Sequence, residues 1–544
     1  MFNKFFNKLL HEDEDLEDKG DKGNKPLTDR PQKVHGQTRR DYFLSVFVLF
    51  LGLSYRLYFI FFVSGSENAG VGWYGDTYHH WQIGYLTHTT GLKNGFLRLW
   101  DLKGMEYFWG PLHPLLLTFL FRLTGSFDIV ITRFVSLVFG LGSIYLMYLI
   151  ARRYWGRLVG FCVLVFGSLF PVAVFNDVSG SLEPIGVFFL LLGIFLWPKH
   201  AFVSGVAWAL ALMARAEAWL FSFFLILIIF LYKKRSNYKV EAFLGWFIIL
   251  ILYMKYLLDH TGNPIYPIWW NYLANARGVW ARNQDLYLTE LQFAVRPFLI
   301  AIAAVALFAL VLAIYKRPRT LLFHIFGWGN IFFLGAFMGL GHYLKGWEWW
   351  FPVIRFFVFP YLFLATILFA FFAPVARRTK ILGNGIIIIM AIMLVLVTQF
   401  TWIPIIRRFK ETIPVWEQTL NWGKQIGLHY KGGTLLFPEH DPHFTYAVVK
   451  YGGVRGENIL GQAFDPYFYF EGDPYKDWEE KRLVVLGWLK DYNVELAVVR
   501  YDAGRYQELF KRESQAFEKI DVLEEGVYEI WRVYPERITL DDRV

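Results

Sequence analysis

Residues 42–64 read YFLSVFVLFLGLSYRLYFIFFVS, and the polar, aromatic stretch VGWYGDTYHHW follows at residues 71–81. The first stretch is as long as the roughly 20 predominantly apolar residues with which a helix crosses a bilayer. The second stretch places one carboxylate and two histidines among aromatic rings at the end of that helix, where polar groups are costly unless they are solvated or used. Together they predict a membrane helix that leads into a functional site, with Asp76 at its centre.

The composition of the chain is that of a membrane protein with many spans. Of its 544 residues, 55% are hydrophobic and 20% are aromatic, which is well above the content of a soluble domain. Charged residues concentrate at the two ends and in short clusters between apolar runs, as loops between membrane helices do. The net charge of +9 is therefore assigned to orienting loops rather than to a nucleic-acid partner. The single cysteine, Cys162, excludes an intramolecular disulfide.

The charge pattern divides the chain into three parts. Residues 1–40 carry an acidic block followed by a Lys/Gly/Pro segment, which predicts a disordered cytoplasmic tail. In residues 41–402, placing the basic clusters inside predicts about eleven spans, a partly inserted segment near residues 111–123, and outer loops at 65–110 and 259–296. Residues 403–544 have the composition of a soluble domain. The predicted fold class is a polytopic α-helical plasma-membrane protein with a C-terminal extracytoplasmic α/β domain.

The individual elements follow from apolar runs and from their periodicity. The predicted spans are residues 42–64, 129–150, 158–175, 182–197, 200–214, 217–232, 240–258, 297–315, 320–341, 352–373 and 381–402. In the C-terminal domain the predicted helices are 417–427, 482–492 and 506–520, and the predicted strands are 433–438, 494–500 and 526–533.

With this topology the unusual polar residues gather on the outer side, so that loops distant in sequence could line one cavity. The candidate site residues are Asp76, His79, His80, Glu183, Arg215, Glu217, His342, Lys345 and Arg355.

Asp76 has a functional interpretation and a structural one. A partly desolvated carboxylate has a raised pKa and can take a proton from a hydroxyl, as a general base does. Alternatively, Gly75 and Thr77 around it resemble a turn into a helix, where an aspartate caps free amides. His79 and His80 would lie on the same helix face as Asp76. Metal binding there is the less favoured interpretation, because ligands from one helix turn are a weak signal; we expect no metal and no cofactor.

The remaining candidates have equally plain alternatives. Glu183 precedes an apolar run and could simply interact with a helix dipole. Arg215 and Glu217 break two apolar runs and could pair at the membrane interface. Arg355 could grip a phosphate with its planar fork or extend to the interface, and Lys345 is a second candidate for the phosphate.

Several motifs resemble those of a known family. Gly75-Asp76, residues 110–117 (GPLHPLLL), residues 133–140 (RFVSLVFG) and residues 151–156 (ARRYWG) occur in that order. In this order they are similar to the GT-C integral membrane glycosyltransferases, and most of all to the branch of the protein O-mannosyltransferases and the aminoarabinose lipid A transferase. Leu182-Glu-Pro184 and Arg215-Ala-Glu217 are similar to further segments of that branch. The resemblance covers about residues 42 to 402.

The resemblance implies an enzyme that transfers a hexose or a pentose with inversion outside the cytoplasm. Its donor would be a sugar linked to a polyprenyl phosphate, and its acceptor a lipid, a glycan or a protein. Asp76 matches the family's catalytic aspartate, and Glu183 is a second catalytic candidate. Arg355, Lys345 and Arg215 would offset the charge of the donor phosphate. The candidates for substrate contact are His79, His80, Glu217 and His342.

Other classes of function remain open to the sequence. A transporter or a lipid flippase would need charges at mid-membrane and symmetric halves, and neither is visible in the chain. An oligosaccharyltransferase would share the architecture with an outer C-terminal domain. A third alternative is a C-terminal binding module that the membrane part anchors.

Overall fold

The computed structural model describes residues 38–70, 75–90, 106–231, 236–269, 380–400, 402–438, 442–461, 478–500, 505–523 and 527–540, together with six helical residues between 362 and 370. The tail of residues 1–37, the predicted spans 297–315 and 320–341, most of 352–373 and most of the predicted loop 259–296 lie outside the described residues.

Up to residue 429 the described chain is helical. In chain order the helices are α1 (Arg39–Tyr58), α2 (Asp76–Thr90), α3 (Glu106–Trp109), α4 (Leu112–Thr124), α5 (Ile129–Trp155), α6 (Arg157–Leu169), α7 (Pro171–Ser179), α8 (Glu183–Leu196), α9 (Ala201–Leu212), α10 (Glu217–Leu231), α11 (Ser236–Thr261), α12 (Lys380–Gln399) and α13 (Trp402–His429). A π-helical turn, Phe59–Val63, continues α1.

Four of the described helices are long and apolar enough to cross a membrane. They are Arg39–Val63, Ile129–Trp155, Asn237–Thr261 and Ile381–Gln399. Large apolar side chains of the first and the last of these are exposed, among them Phe43, Phe50 and Ile381. Such faces are stable against lipid and unfavourable in water. Lengths and exposed faces together support a membrane helical fold.

The helix α4 is apolar but short. It has 13 residues, a length of about 20 Å against a hydrocarbon core of about 30 Å. The helices α8, α9 and the first part of α10 (Glu217–Leu227) are also apolar and shorter than the long candidates. The number of spans therefore stays a prediction.

The predicted span 158–175 is divided in two. The helices α6 and α7 meet at Phe170–Pro171 with a bend of 55°. Pro171 is the first residue of α7, where its missing N–H is tolerated, whereas a proline inside a helix would clash with the preceding turn. The bend directs α7 towards α1, where the Arg56 Nε lies 2.8 Å from the Asp177 Oδ2.

After residue 430 the chain forms a five-stranded sheet. Its strands are β1 (Thr434–Leu436), β2 (Ile459–Leu460), β3 (Val494–Arg500), β4 (Phe517–Leu523) and β5 (Tyr528–Val533), in the spatial order β2-β1-β3-β5-β4. The strand β1 is parallel to β2 and β3, and β5 is antiparallel to β3 and β4. The helices in this part are α14 (Pro442–Lys450), α15 (Trp478–Asp491) and α16 (Arg505–Arg512).

One predicted element in this part is wrong in its second half. The helix predicted over residues 506–520 ends at Arg512, and Phe517–Leu523 is a strand that pairs with β5. In the strand, the backbone N–H and C=O groups of this segment pair with those of β5. A longer helix would leave this edge of β5 without these partners. The helix α14 and the strand β2 were not predicted.

The sheet part packs directly on the helix that begins at Asp76. One buried cluster contains Tyr78 and Trp81 of α2, Trp416 of α13 and Tyr446 of α14. The core of the sheet part thus continues into the helical part through α2.

Candidate functional site

Asp76 is the first residue of α2, and its side chain is half-buried. The Tyr78 amide donates to the Gly75 carbonyl at 2.9 Å, so the helix begins at this point. A carboxylate in the first turn interacts favourably with the helix dipole. Asp76 is therefore placed to interact with the dipole of α2, which is a different structural role from the predicted capping of free amides.

Thr77 fixes the start of α2 against the end of α7. Its hydroxyl donates to the carbonyl of Ser179, at the end of α7. The left-handed Gly180 follows, with φ at +78°, and a Cβ at this glycine would overlap the Thr77 methyl group. Close contact between residues 77 and 180 therefore joins the start of α2 to the bent span.

The two histidines of α2 have different surroundings. His79 is half-buried; its Nδ1 lies 3.3 Å from the Gln82 Oε1, and its ring stacks on Trp109 with centroids 5.8 Å apart. His80 is buried, with the edge of Trp109 at 4.9 Å and the His113 ring at 5.5 Å between centroids.

His80 and His113 form a buried pair without hydrogen bonds. Neither ring nitrogen of either residue has a hydrogen-bond partner in the described part of the chain. Burial holds the pKa of His80 well below its ordinary value, and the neighbouring His113 and Arg215 lower that pKa further, while Asp76 opposes them. His80 is therefore neutral, and its pKa depends on the charges of both Asp76 and Arg215.

Arg215 lies between two carboxylates at the start of α10 and α8. Its Nε is 2.9 Å from the Glu217 Oε2, and its Nη2 is 3.5 Å from the Glu183 Oε1. All three side chains are largely buried, which makes such a cluster costly unless its charges compensate one another. Glu183 and Glu217 are each the first residue of their helix.

A glycine brings the histidines to this charged cluster. The Leu112 amide donates to the Met213 carbonyl at 3.1 Å. Gly110 has a φ of +81°, and a Cβ at this position would overlap the same carbonyl oxygen. Only glycine permits this approach, which places the start of α4, with His113, beside the turn that carries Arg215.

Six of the nine sequence-predicted site residues are thus described, and they lie in one connected region. They are Asp76, His79, His80, Glu183, Arg215 and Glu217. The other three, His342, Lys345 and Arg355, lie outside the described residues. Within the described ranges, no group of three or more His, Cys, Asp or Glu side chains could hold a metal ion.

Two buried arginines beside the site had no role assigned from the sequence. Arg133 donates to the Val178 carbonyl at 2.5 Å, to the Asn68 carbonyl at 3.3 Å and to the Ser64 hydroxyl at 2.6 Å. Arg56 donates to the Ser168 carbonyl at 2.8 Å in addition to its pair with Asp177. A charge inside an apolar run was the signal that could have found both. They hold the segment after α1 and the bent span in place around α2.

A small cavity lies next to Glu183. It has a volume of about 10 Å³ and is lined by residues that include Ser143, Asn176, Asp177 and Leu362. That volume is about the minimum for one water molecule. Glu183 is therefore one of the residues that line a small, mostly apolar space between α5, α7 and α8.

No family model matches the sequence, and no curated protein is detectably similar to it in sequence. Solved structures do resemble it. The crystal structure of the Archaeoglobus fulgidus oligosaccharyltransferase, in complex with Zn and sulfate, matches with a TM-score of 0.51 and 11% identity over 92% of this chain and 74% of that chain. The crystal structure of ArnT from Cupriavidus metallidurans, in the apo state, matches with a TM-score of 0.51 and 12% identity over 92% of this chain and 98% of that chain.

The chain shares its fold with these two proteins. The likeness extends over nearly the whole chain and supports the membrane helical fold that the sequence resemblance implied. At these identities it shows the fold alone.

Proposed function

We propose that this protein is a membrane glycosyltransferase that moves a sugar from a polyprenyl-phosphate donor to an acceptor hydroxyl, with Asp76 as the general base. The observation that carries the proposal is the position of Asp76. It is the first residue of α2 and is half-buried. Its charge raises the pKa of His80, which the charge of Arg215 lowers. The fold shared with an oligosaccharyltransferase and with ArnT supports this class of reaction.

The proposed reaction is a single displacement at the anomeric carbon. The acceptor hydroxyl gives its proton to the Asp76 carboxylate while its oxygen attacks the anomeric carbon. The bond between that carbon and the phosphate oxygen breaks, and the electron pair leaves with the phosphate. Attack from the face opposite the phosphate inverts the configuration. Because the phosphate is a good leaving group, no general acid is required.

The balance of charges in the described site supports the roles proposed for the other residues. The described site contains three carboxylates and one guanidinium. The carboxylates are those of Asp76, Glu183 and Glu217, and the guanidinium is that of Arg215. An anionic donor in such a field requires further cations, and Arg355 and Lys345 are proposed to supply them, with a smaller part for the already paired Arg215. Glu183 is proposed as the second catalytic carboxylate.

The substrate contacts are proposed to be neutral or polar. His79, His80 and Glu217 would contact the sugar or the acceptor from the described part, and His342 from outside it. Neutral imidazoles can both donate and accept hydrogen bonds with sugar hydroxyls. The acceptor is proposed to be a lipid, a glycan or a protein.

The proposed location is the outer face of the plasma membrane, with the N-terminus in the cytoplasm. The packing of α14 on α2 supports placing the sheet part and Asp76 on the same side. The basic cluster of residues 151–157 supports a cytoplasmic position for the turn between α5 and α6.

Replacing Asp76 by asparagine tests the proposal. With purified protein and a synthetic polyprenyl-phosphate sugar, Asp76→Asn is expected to lower the transfer rate about 100-fold or more, as loss of a general base does. Asp259→Asn is a matched control, because Asp259 is exposed and its ion pair in the described residues is with Lys255 on the same helix, α11. Wild-type transfer by Asp76→Asn would refute the role of Asp76. Absence of transfer by the wild-type protein together with movement of the labelled donor across vesicles would favour a flippase.

The substrates can be found in cells. Mass spectrometry of glycolipids and glycoproteins from cells that lack this protein is expected to reveal one missing hexose, pentose or amino sugar. The class of molecule that loses the sugar identifies the acceptor.

A further inference from the structure

The ring of Tyr446, in α14, is inserted between the aromatic side chains of α2. It is fully buried, with the Trp81 ring at 4.7 Å and the Tyr78 ring at 5.4 Å between centroids. Its hydroxyl accepts a hydrogen bond from the Ile129 amide at 3.2 Å. Trp416 of α13 completes the cluster, with centroids 5.8 Å from both Tyr78 and Tyr446. One side chain of the sheet part therefore contacts both α2 and the first amide of α5.

Further contacts extend along α2 from its first residue to its last turns. The Pro442 ring lies 3.4 Å from the place that a Cβ of Gly75 would take, immediately before Asp76. Near the other end, the Gly456 amide donates to the Tyr85 hydroxyl at 3.4 Å. Lys450 pairs with Asp128, the residue that precedes α5. The sheet part thus contacts α2 from its start to Tyr85.

The helix α2 needs such external contacts. It has 15 residues, and isolated helices of about that length are marginal in water. Its buried aromatic side chains pack against residues of α4, α13 and α14. The direction of the helix, and with it the direction of the Asp76 carboxylate, is set by these partners.

We propose that Tyr446 is a positioning residue, which orients α2 so that Asp76 reaches the acceptor hydroxyl, and that the sheet part is a component of the catalytic unit rather than a separate binding module. The inference rests on the proposed role of Asp76. A reacting group displaced by about 1 Å costs about 100-fold in rate, so that loss of one buried ring in this contact is sufficient to slow transfer.

Kinetics with three variants test the proposal. Tyr446→Ala is expected to lower kcat about 10- to 100-fold, while KM for the donor changes less than about twofold. Tyr446→Phe keeps the ring and loses only the hydroxyl, and is expected to recover most of the rate. Phe510→Ala is the matched control: it also removes a fully buried ring from the sheet part, but from a cluster on the other face of the sheet, against Phe517 and Trp531. An equal fall of kcat in Phe510→Ala would mean that only the stability of this part matters, and would overturn the proposal.

Hydrogen exchange gives a measurement that does not depend on activity. Amides of residues 76–90 are expected to exchange at least about 10-fold faster in Tyr446→Ala than in the wild type, and to keep their protection in Phe510→Ala. Unchanged exchange and unchanged kcat in Tyr446→Ala would refute the positioning role. If Tyr446→Ala does not yield folded protein, Tyr446→Leu retains more bulk and is measured in the same way.

The two proposals fail in different ways. If Asp76→Asn transfers sugar normally but Tyr446→Ala still speeds amide exchange in α2, the proposed role of Asp76 is wrong, and Tyr446 still holds α2 in place. If Asp76→Asn is inactive but Tyr446→Ala is fully active, the role of Asp76 stands and the positioning by Tyr446 is wrong.

Discussion

The Arg56 guanidinium and the Asp177 carboxylate form a buried ion pair, with the Arg56 Nε 2.8 Å from the Asp177 Oδ2. The pair joins the first long apolar helix to the second half of the bent span. It requires a glycine nearby, since a Cβ at Gly140 of α5 would overlap the Asp177 carboxylate. Three helices therefore meet at one charge pair inside the helical part.

Loss of one partner of this pair is expected to destabilise the protein. Arg56→Leu leaves the Asp177 carboxylate buried without its cation, which costs about 3 to 5 kcal/mol. The measurement is thermal unfolding of the purified protein in detergent, with Arg122→Leu as the control, because Arg122 is exposed. The double variant Arg56→Leu/Asp177→Leu is expected to recover part of the loss, and equal unfolding temperatures of wild type and Arg56→Leu would contradict the prediction.

Two glycines allow a matched test of the approach between α4 and the turn at residue 213. Gly110 and Gly125 both have a positive φ, at +81° and +66°. A Cβ at Gly110 would overlap the Met213 carbonyl, whereas no atom of the described residues lies within 4 Å of a Cβ at Gly125. Gly125→Ala is expected to cost about 1 to 2 kcal/mol for its left-handed backbone alone. Gly110→Ala adds a clash with the Met213 carbonyl and is expected to cost clearly more, and also to lower transfer, because it moves His113 away from Arg215. Equal losses of unfolding free energy in the two variants would contradict the prediction, because they would mean that the turn at residue 213 can move to accommodate the methyl group.

The burial of His80 predicts how stability depends on pH. The unfolded state takes up a proton as the pH falls through about 6.5, whereas the folded state does not, because burial holds the pKa of His80 well below that value. The contribution of His80 to the free energy of unfolding is therefore complete above pH 6.5. Below pH 6.5 the free energy of unfolding decreases by up to about 1.4 kcal/mol for each pH unit.

The variant His80→Leu isolates this contribution. Unfolding midpoints between pH 7 and pH 5 are expected to fall less in His80→Leu than in the wild type. At pH 7 the variant is expected to be at least as stable as the wild type, because it removes two buried nitrogens that have no partner in the described part. Its transfer rate is expected to be lower. His200→Leu replaces an exposed histidine and is expected to keep the wild-type pH dependence; a parallel curve for His80→Leu would refute the assignment.

The buried thiol of Cys162 makes the predicted topology testable by labelling. Cys162 is the single cysteine of the chain, and its burial keeps the background low. Leu428→Cys places a thiol on α13, where the side chain is 82% exposed, and it is expected to react with a membrane-impermeant maleimide in intact cells. Tyr154→Cys lies in the basic cluster at the end of α5 and is expected to react only after the membrane is permeabilised. The reverse pattern would place Asp76 and the sheet part in the cytoplasm.

Much of the helical part follows from the sequence because apolar runs have a length that the bilayer fixes. The run at residues 42–64 corresponds to Arg39–Val63, and the run at 182–197 to Glu183–Leu196. The division of the run at 158–175 was not predicted, although Pro171 was its signal. Hydropathy measures how apolar a run is and contains no information on whether its backbone continues straight.

The candidate site residues were easier to select from the sequence than the contacts between them. Asp76, Glu183 and Arg215 stand out as charges at the ends of apolar runs. The contact of Tyr446 with α2 joins residues more than 350 positions apart, and an aromatic side chain in a short helix resembles any core residue. Residues 442–450 were not assigned to any element, and residues 517–520 were predicted as part of a helix because pairing with β5 is invisible in a local pattern.

The contact between Thr77 and Gly180 has a consequence for the divergence of this chain. The Thr77 methyl group occupies the space that any side chain at position 180 would need, so that the residue directly after Asp76 is chosen by the shape of the neighbouring turn. Among natural variants, we expect these two positions to be exchanged together. Differences at position 77 would then record the history of that packing contact and would be a poor guide to the acceptor.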